Sequence, residues 1–298
     1  MVESSLSGVR TDARPKRRVR GPAGDAFLRL RRSRSALVGG VLLLAIGGAA
    51  LLAPLLSPYN PIKANQRAPL EAPSAAHLMG TDRFGRDVFS RVLWGGRLSL
   101  AVGLVSVVIA AVSGVVLGLV AGYYGRRVDA VIMRLVDLLL AFPGILLALA
   151  IIATLGSSLV NLMIAVGISA IPDYVRVTRG TMLSLKEREF VLAARVVGCR
   201  DQAIIFRHIL PNVIAPLVVL ATLGIAGAII TGSALSFLGL GVRPPAPEWG
   251  NMLAEGREFL QHAWWVAFFP GLAIMLAVFS INLLGDGLRD ALDPRLRA

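Results

Sequence analysis

The sequence has few of the residues on which metalloproteins and most enzymes depend. Among its 298 residues there is one cysteine, Cys199, and only three histidines. A single cysteine excludes an intrachain disulfide, and the histidines lack the spacing of a metal site. None of the three lysines ends the GxxxxGK pattern of a phosphate-binding loop. We therefore expect no catalytic site, no metal and no bound cofactor in this chain.

Charged residues are also scarce, which bears on the class of protein. Only 16% of the residues are charged, 55% are hydrophobic, and the mean hydropathy is +0.70. A soluble domain of this length needs more polar surface, so the composition predicts an integral membrane protein. The net charge of +13 is explained by basic residues beside apolar runs, and we expect a lipid bilayer rather than nucleic acid as the partner.

Six apolar runs predict an all-α, polytopic membrane protein with six transmembrane helices. They are residues 36–57, 98–122, 130–155, 159–175, 213–238 and 264–284. The first run separates a basic arm, 1–35, from a polar segment, 58–97. In that segment Thr81 and Asp82 predict the start of a helix at the membrane interface. The runs from the second onward form a core, 98–285, followed by a tail, 286–298.

The distribution of basic residues predicts the orientation in the membrane. With the amino terminus in the cytoplasm, 23 of the 31 Lys and Arg residues fall on the cytoplasmic side. The positive-inside rule therefore places both termini, and the polar stretch 180–212, in the cytoplasm.

Two features inside the predicted spans concern helix packing. Small residues recur every fourth position in the second run, which predicts close contact with a neighbouring helix. They are Ser106, Ala110, Gly114, Gly118 and Gly122. In the third run Pro143 predicts a kink.

Charged residues near the inner ends of the spans have two interpretations. Arg134 and Asp137 lie three residues apart and are expected to neutralise each other. Asp173 is expected to pair with Arg176 or Arg179. Since ionisable groups within a membrane also mark transport pathways, Arg134, Asp137 and Asp173 are either structural pairs or pathway residues.

The stretch 186–212, KEREFVLAARVVGCRDQAIIFRHILPN, predicts two short helices on a polar loop between spans. Phe190, Ala193, Ala194 and Val197 share one face of the first helix. Gly198 follows where that helix would end and the chain would turn. A second helix is expected to run from Asp201 to Pro211, where the next span begins. Such a hinged pair is typical of a docking element.

This stretch resembles the EAA loop by which permease subunits of ABC transporters hold their ATPase. The resemblance rests on Ala193–Ala194, Gly198 and Leu210–Pro211, with Leu192 and His208 replacing the usual Glu and Ile. It implies a coupling role for a set of residues around the hinge. They are Glu189, Phe190, Ala193, Ala194, Arg195, Val197, Gly198, Arg200, Leu210 and Pro211.

The rest of the chain is similar to the C-type permease of bacterial dipeptide and oligopeptide ABC importers. The similarity is carried by HLMGTDRFGRD, LSFLGLGV, PPAPEWGNMLAEGR and FPGLAIMLAVFSINLLGDGLRDALDPRLR, among others. It implies an inner-membrane subunit that works with a second permease, two ATP-binding subunits and an extracytoplasmic binding protein. ATP and magnesium would then be bound by the ATPases. Gly232 stands where many relatives carry an acidic residue.

Other readings remain open at this point. The same architecture is compatible with import of a nickel chelate, glutathione or a sugar. A secondary transporter would require internal repeats and ionisable residues at mid-membrane, and a membrane enzyme would require a catalytic constellation. Neither pattern is evident in the sequence.

Overall fold

The computed structural model describes residues 30–31 and 33–292, and these are almost entirely helical. Most of the predicted basic arm, 1–35, and the last residues of the predicted tail, 293–298, lie outside the described residues. The helices, in chain order, are α1 (Arg34–Leu51), α2 (Ala53–Leu56), α3 (Val88–Tyr124), α4 (Arg126–Leu140), α5 (Gly144–Leu155), α6 (Leu159–Lys186), α7 (Glu189–Val196), α8 (Asp201–Ala203), α9 (Leu210–Phe237), α10 (Trp249–Gly256) and α11 (Trp265–Leu292).

Helices α1, α3, α6 and α11, together with the continuous stretch Asp201–Phe237, are long and apolar enough to cross a membrane. Helices α4 and α5 reach that length only as a pair, and they meet at an angle of 89°. The all-α polytopic fold is thereby confirmed, and the kink predicted at Pro143 is a break that divides the predicted span 130–155 between two helices. Pro143 lies at the bend, where its ring is incompatible with continuing the preceding helix.

The contact between α3 and α6 is the most extensive between two helices in the described chain. Small residues of α3 lie against larger residues of α6, in the pairs Gly114–Tyr174, Gly118–Thr178 and Gly122–Met182. A Cβ atom added at Gly118 would lie 2.6 Å from the Cβ of Thr178, so only glycine allows this separation. The predicted ridge of small residues is a helix-packing surface.

The order of these contacts fixes the topology. Residue numbers increase together along α3 and α6, so the two helices run parallel. The chain must therefore return from the end of α3 to the opposite end of the bundle before α6 begins. The bent pair α4–α5 makes this return.

The N-terminal end of α3 differs from the sequence prediction. The expected interfacial helix starting at Thr81–Asp82 is not formed; α3 begins at Val88, and Asp87 caps it by accepting a hydrogen bond from the Ser90 amide at 2.8 Å. Gly85 explains the difference, because its φ of +70° is incompatible with a helix interior. With 37 residues, α3 is roughly 55 Å long and extends beyond the hydrocarbon core.

A buried ionic cluster holds the segment before α3 against α10. Arg86 pairs with Asp82 at 2.6 Å and with Glu255 of α10 at 2.7 Å, and Arg91 of α3 reaches the same Glu255 oxygen at 3.2 Å. Two guanidinium groups face two carboxylates, so the cluster is neutral. Helix α10 itself is capped by Glu248, whose carboxylate accepts hydrogen bonds from the Gly250 and Asn251 amides. These contacts make the polar segment and α10 one cap on this end of the bundle.

We predict that Gly118→Ala destabilises the protein by roughly 1–3 kcal/mol, because the added methyl group forces α3 and α6 apart. Gly180→Ala is the matched control, since a Cβ at Gly180 of α6 meets nothing within 4 Å. That control should be neutral or stabilising by up to about 1 kcal/mol, as expected for glycine to alanine within a helix. Thermal unfolding in detergent measures both. A midpoint for Gly118→Ala at or above that of the control would contradict the packing argument.

Candidate functional site

The polar stretch between α6 and α9 forms a hinged helical hairpin. Helix α7 ends in a left-handed turn at Gly198, whose φ is +82°. The Gly198 amide donates to the Arg195 carbonyl at 2.9 Å, and the Cys199 amide donates to the Ala194 carbonyl at 3.0 Å. These two bonds are those of the Schellman motif, in which glycine is preferred because it lacks a Cβ. The predicted hinge at Gly198 is confirmed.

Helix α7 has an inner and an outer face. Val191 and Ala194 are buried, at 0% and 9% exposure, in one hydrophobic cluster with Ile204 and Ile209. On the outer side Val196 and Val197 are 88% and 83% exposed, and further apolar residues are exposed around them. These are Phe190, Leu192, Ala193 and Phe206. Ala194 was expected on the docking face, but it packs inward. The apolar outer face is defined here as the coupling surface.

The sequence predicts that the second helix of the hairpin ends at Pro211, but in the structure this helix continues past Pro211. Helix α8 passes through one π-helical turn, Ile204–Ile209, directly into α9. In this turn the Leu210 amide donates to the Ile205 carbonyl, five residues back. The wider turn accommodates Pro211, which lacks the amide hydrogen that a regular helix would use at this point. The hairpin is therefore continuous with a membrane-crossing helix.

Tyr123 fixes the hairpin to the end of α3. Its hydroxyl donates a short hydrogen bond to the Asp201 carboxylate. Its backbone carbonyl accepts a hydrogen bond from the Lys186 ammonium at 2.7 Å, and the Arg195 guanidinium lies 5.6 Å from its ring centroid. Groups from α6, α7 and α8 thus converge on one residue. The sequence did not reveal this role of Tyr123, because nothing in it distinguishes Tyr123 from the neighbouring Tyr124.

The charged residues of α4 pair with α6 rather than with each other. Asp129 accepts two hydrogen bonds from Arg179, one of them at 2.6 Å. Asp137 pairs with Arg176 at 3.0 Å, and both side chains are more than half exposed. The predicted Arg134–Asp137 pair is therefore wrong, as is the pairing of Asp173 with Arg176 or Arg179. The bend at Pro143 brings α4 alongside α6, and this proximity was not predictable from helical spacing.

Asp173 lies instead at a cavity of about 240 Å³ between α3, α5, α6 and α9. Its side chain is exposed, and within residues 33–292 no Lys, Arg or His nitrogen lies within 4.0 Å of its carboxylate. Gly232, by contrast, is buried beside Val102, and a Cβ there would lie 2.6 Å from the Val102 Cγ1. The predicted site residues therefore fall in three places: the hairpin, the exposed side of α4 with Arg134 and Asp137, and the cavity with Asp173.

Comparison with known families gives matches over most of the chain. A family described as "Binding-protein-dependent transport system inner membrane component" matches residues 114–298. A second, described as "N-terminal TM domain of oligopeptide transport permease C", matches residues 21–73.

Individual relatives are similar over nearly their whole length. A dipeptide transport system permease protein of Alkalihalophilus pseudofirmus is 48% identical, with 93% of this chain and 91% of the relative covered. A di/tripeptide transport system permease protein of Pseudomonas aeruginosa is 46% identical, with 93% of each covered. A glutathione transport system permease protein of Pectobacterium atrosepticum is 47% identical, with 94% and 93% covered.

A solved structure shares the fold. The inward-facing methionine ABC transporter MetNI contains a chain that matches with a TM-score of 0.56 and 19% identity, covering 68% of this chain and 97% of that one. At this identity the match concerns the fold alone.

We predict that Tyr123→Phe loosens the hairpin without unfolding the bundle. Losing a hydrogen bond to a charged partner costs about 1.5–3 kcal/mol. The locally open state should therefore be populated at least roughly tenfold more, and trypsin should cleave after Arg195 and Arg200 at least about tenfold faster in detergent. Tyr124→Phe is the control, since within the described chain the Tyr124 hydroxyl has no hydrogen-bond partner. Equal cleavage rates for the two variants would show that Tyr123 does not hold the hairpin.

Proposed function

The chain belongs to the family of binding-protein-dependent inner-membrane transport components, and from this we propose that it is a permease subunit of an ATP-driven importer for dipeptides or short oligopeptides. The permease role rests on the family. The substrate rests on relatives of 46–48% identity that are named as dipeptide, di/tripeptide or glutathione permeases. The hinged hairpin with its exposed apolar face is the observation that supports ATP-driven transport. An apolar helix face of this kind can dock into a hydrophobic groove of a partner, here the ATPase.

The coupling surface is the contact we assign to the ATPase. Val196 and Val197 are almost fully exposed at the hinge, and Phe190 is 42% exposed on the same helix. Ala193 adds a small side chain that permits close approach. Polar groups border this surface and contribute at its rim, where charges affect association more than affinity. They are Glu189, Arg195 and Arg200.

Ala194, Gly198, Leu210 and Pro211 act through the shape of the hairpin rather than by contact. Ala194 seats α7 against the π-helical turn, and Gly198 permits the reversal of the chain. Leu210 and Pro211 begin α9, so a displacement of the hairpin reaches a membrane-crossing helix without an intervening loop.

Transport then requires the membrane helices to change between two packing arrangements. Movement of the ATPases displaces α7, and the Tyr123 contacts transmit the displacement to α3 and α6. Because these helices are packed without space between them, they move as a unit. The ATPases supply energy only through their different contacts with the two states.

We propose that this chain works with several partner subunits and has a defined orientation in the membrane. A second permease completes the pore, two ATPases bind ATP and magnesium, and an extracytoplasmic binding protein delivers the substrate. Both termini and the hairpin lie in the cytoplasm, as the distribution of basic residues predicts. The cap formed by the segment before α3 and by α10 then faces the binding protein.

The substrate is tested by uptake. The chain should be expressed with its cognate subunits in a bacterial host that lacks peptide importers, and uptake of radiolabelled Ala-Ala should be compared with that of labelled glutathione. We expect ATP-dependent accumulation of the dipeptide, abolished when this chain is omitted. Glutathione is the second candidate because of the Pectobacterium relative. Accumulation of glutathione without the dipeptide would assign that substrate instead.

Gly198→Val tests the coupling role. A β-branched residue in the left-handed conformation costs about 1–3 kcal/mol, which is enough to reshape the hinge. We expect at least a roughly fivefold loss of ATPase that co-purifies with the permease, and a matching loss of uptake. Gly198→Asn is the control, because asparagine tolerates this conformation. Both variants should reach the membrane in equal amounts; undiminished ATPase binding by Gly198→Val would refute the role of the hinge.

A further inference from the structure

The cavity beside Asp173 has a mostly apolar lining that includes a small group of polar side chains. The side chains of Ser106, Ser169, Asp173, Tyr174 and Thr231 contribute to its walls, and Asp173 is the one ionisable acid among the lining residues. Ser169 and Asp173 are four residues apart on α6, so they lie on one face of that helix, one turn from each other. Thr231 comes from α9 on another wall. The cavity therefore presents a carboxylate surrounded by hydroxyl groups.

The Asp173 carboxylate is not neutralised by the protein that surrounds it. The arginines one and two turns further along α6 are engaged elsewhere, Arg176 with Asp137 and Arg179 with Asp129. Asp173 is also roughly 21 Å along α6 from its first residue, Leu159, which is half the length of the helix. An acid without a counter-ion next to an apolar span is uncommon in a membrane protein, and by default it marks a ligand or ion site.

A second group beside Asp173 also lacks a partner. Tyr174 is 2% exposed, and its hydroxyl makes no hydrogen bond within the part of the chain that the structure describes. The hydroxyl lies against Gly224, another lining residue, where an added Cβ would be 2.5 Å away. Buried hydroxyls are hydrogen-bonded in nearly all proteins, so the unpaired Tyr174 hydroxyl is a second unsatisfied polar group beside the cavity.

We propose that this cavity binds a primary ammonium group, with Asp173 as its counter-ion and the hydroxyls as additional acceptors. An ammonium group has three N–H donors and no acceptor, which matches one carboxylate surrounded by hydroxyl oxygens. A metal ion fits less well, since no cluster of three His, Cys, Asp or Glu residues is found in the described chain. The proposal rests on the proposed function, because the free amino end of a peptide is such a group at neutral pH.

The test uses thiol labelling in the assembled transporter. Cys199 is replaced by serine to remove the one native cysteine, and Ser169→Cys places a thiol on the cavity wall. Labelling rates are measured with the cationic reagent aminoethyl methanethiosulfonate and with its anionic sulfonatoethyl counterpart. We expect the cationic reagent to be favoured by roughly tenfold. Asp173→Asn should remove this preference to within about twofold.

Two further comparisons make the result specific. Asp290→Asn removes a carboxylate near the end of α11 that does not line the cavity, and it should leave the preference intact. An excess of alaninamide, which carries a primary ammonium group, should slow labelling several-fold, whereas N-acetylalaninamide should not. Thr231→Cys provides the same measurement from another wall if Ser169→Cys fails to assemble.

The outcomes separate this inference from the proposed function. An unchanged preference in Asp173→Asn, or equal effects of the two alanine derivatives, would overturn the ammonium site even if dipeptide uptake is observed. Protection by alaninamide without dipeptide uptake would support the site and contradict peptide import. Protection that is lost in Asp173→Asn, together with dipeptide uptake, supports both.

Discussion

The close packing of α3 against α6 is the constraint on which the other features depend. Glycines at 114, 118 and 122 allow the backbones to approach until Tyr174, Thr178 and Met182 occupy the space that side chains of α3 would otherwise fill. In lipid, apolarity alone does not bring helices together, so shape and the absence of side chains must do so. Because the two helices are parallel, their ends coincide at the same side of the bundle. One contact therefore fixes the geometry of both the cavity and the hairpin.

The hairpin illustrates this dependence. Lys186 ends α6, and it reaches the Tyr123 carbonyl only because α3 ends at the same level. Tyr123 in turn holds Asp201, which starts the helix that continues into α9. Three membrane-crossing helices thus meet at a single tyrosine beneath the coupling surface. A rigid connection of this kind is what a subunit driven from outside the membrane requires.

The sequence predicted the all-helical class and the turn at Gly198, because periodicity and glycine are local signals. It placed Gly198 correctly, and it identified the small residues of α3 as a packing surface. It failed where partners come from distant parts of the chain. The pairing of Asp137 with Arg176 depends on a bend of 89°, and the burial of Ala194 depends on the π-helical turn that follows it. The coupling residues themselves remain predictions.

The distribution of charge in the membrane helices separates structural from functional groups. A charged side chain at the centre of a bilayer costs about 2.5–3.5 kcal/mol on insertion scales, so an unpaired one is retained only for a purpose. Asp129 and Asp137 each pair with an arginine of α6. Asp173 lies on the same helix, yet it faces a cavity bordered by Tyr174 and without a counter-ion among the described residues. Since α3 packs against α6 at Tyr174, any rearrangement of that contact also changes the cavity. The position at which a ligand meets this permease is therefore tied mechanically to the hairpin that the ATPase would move.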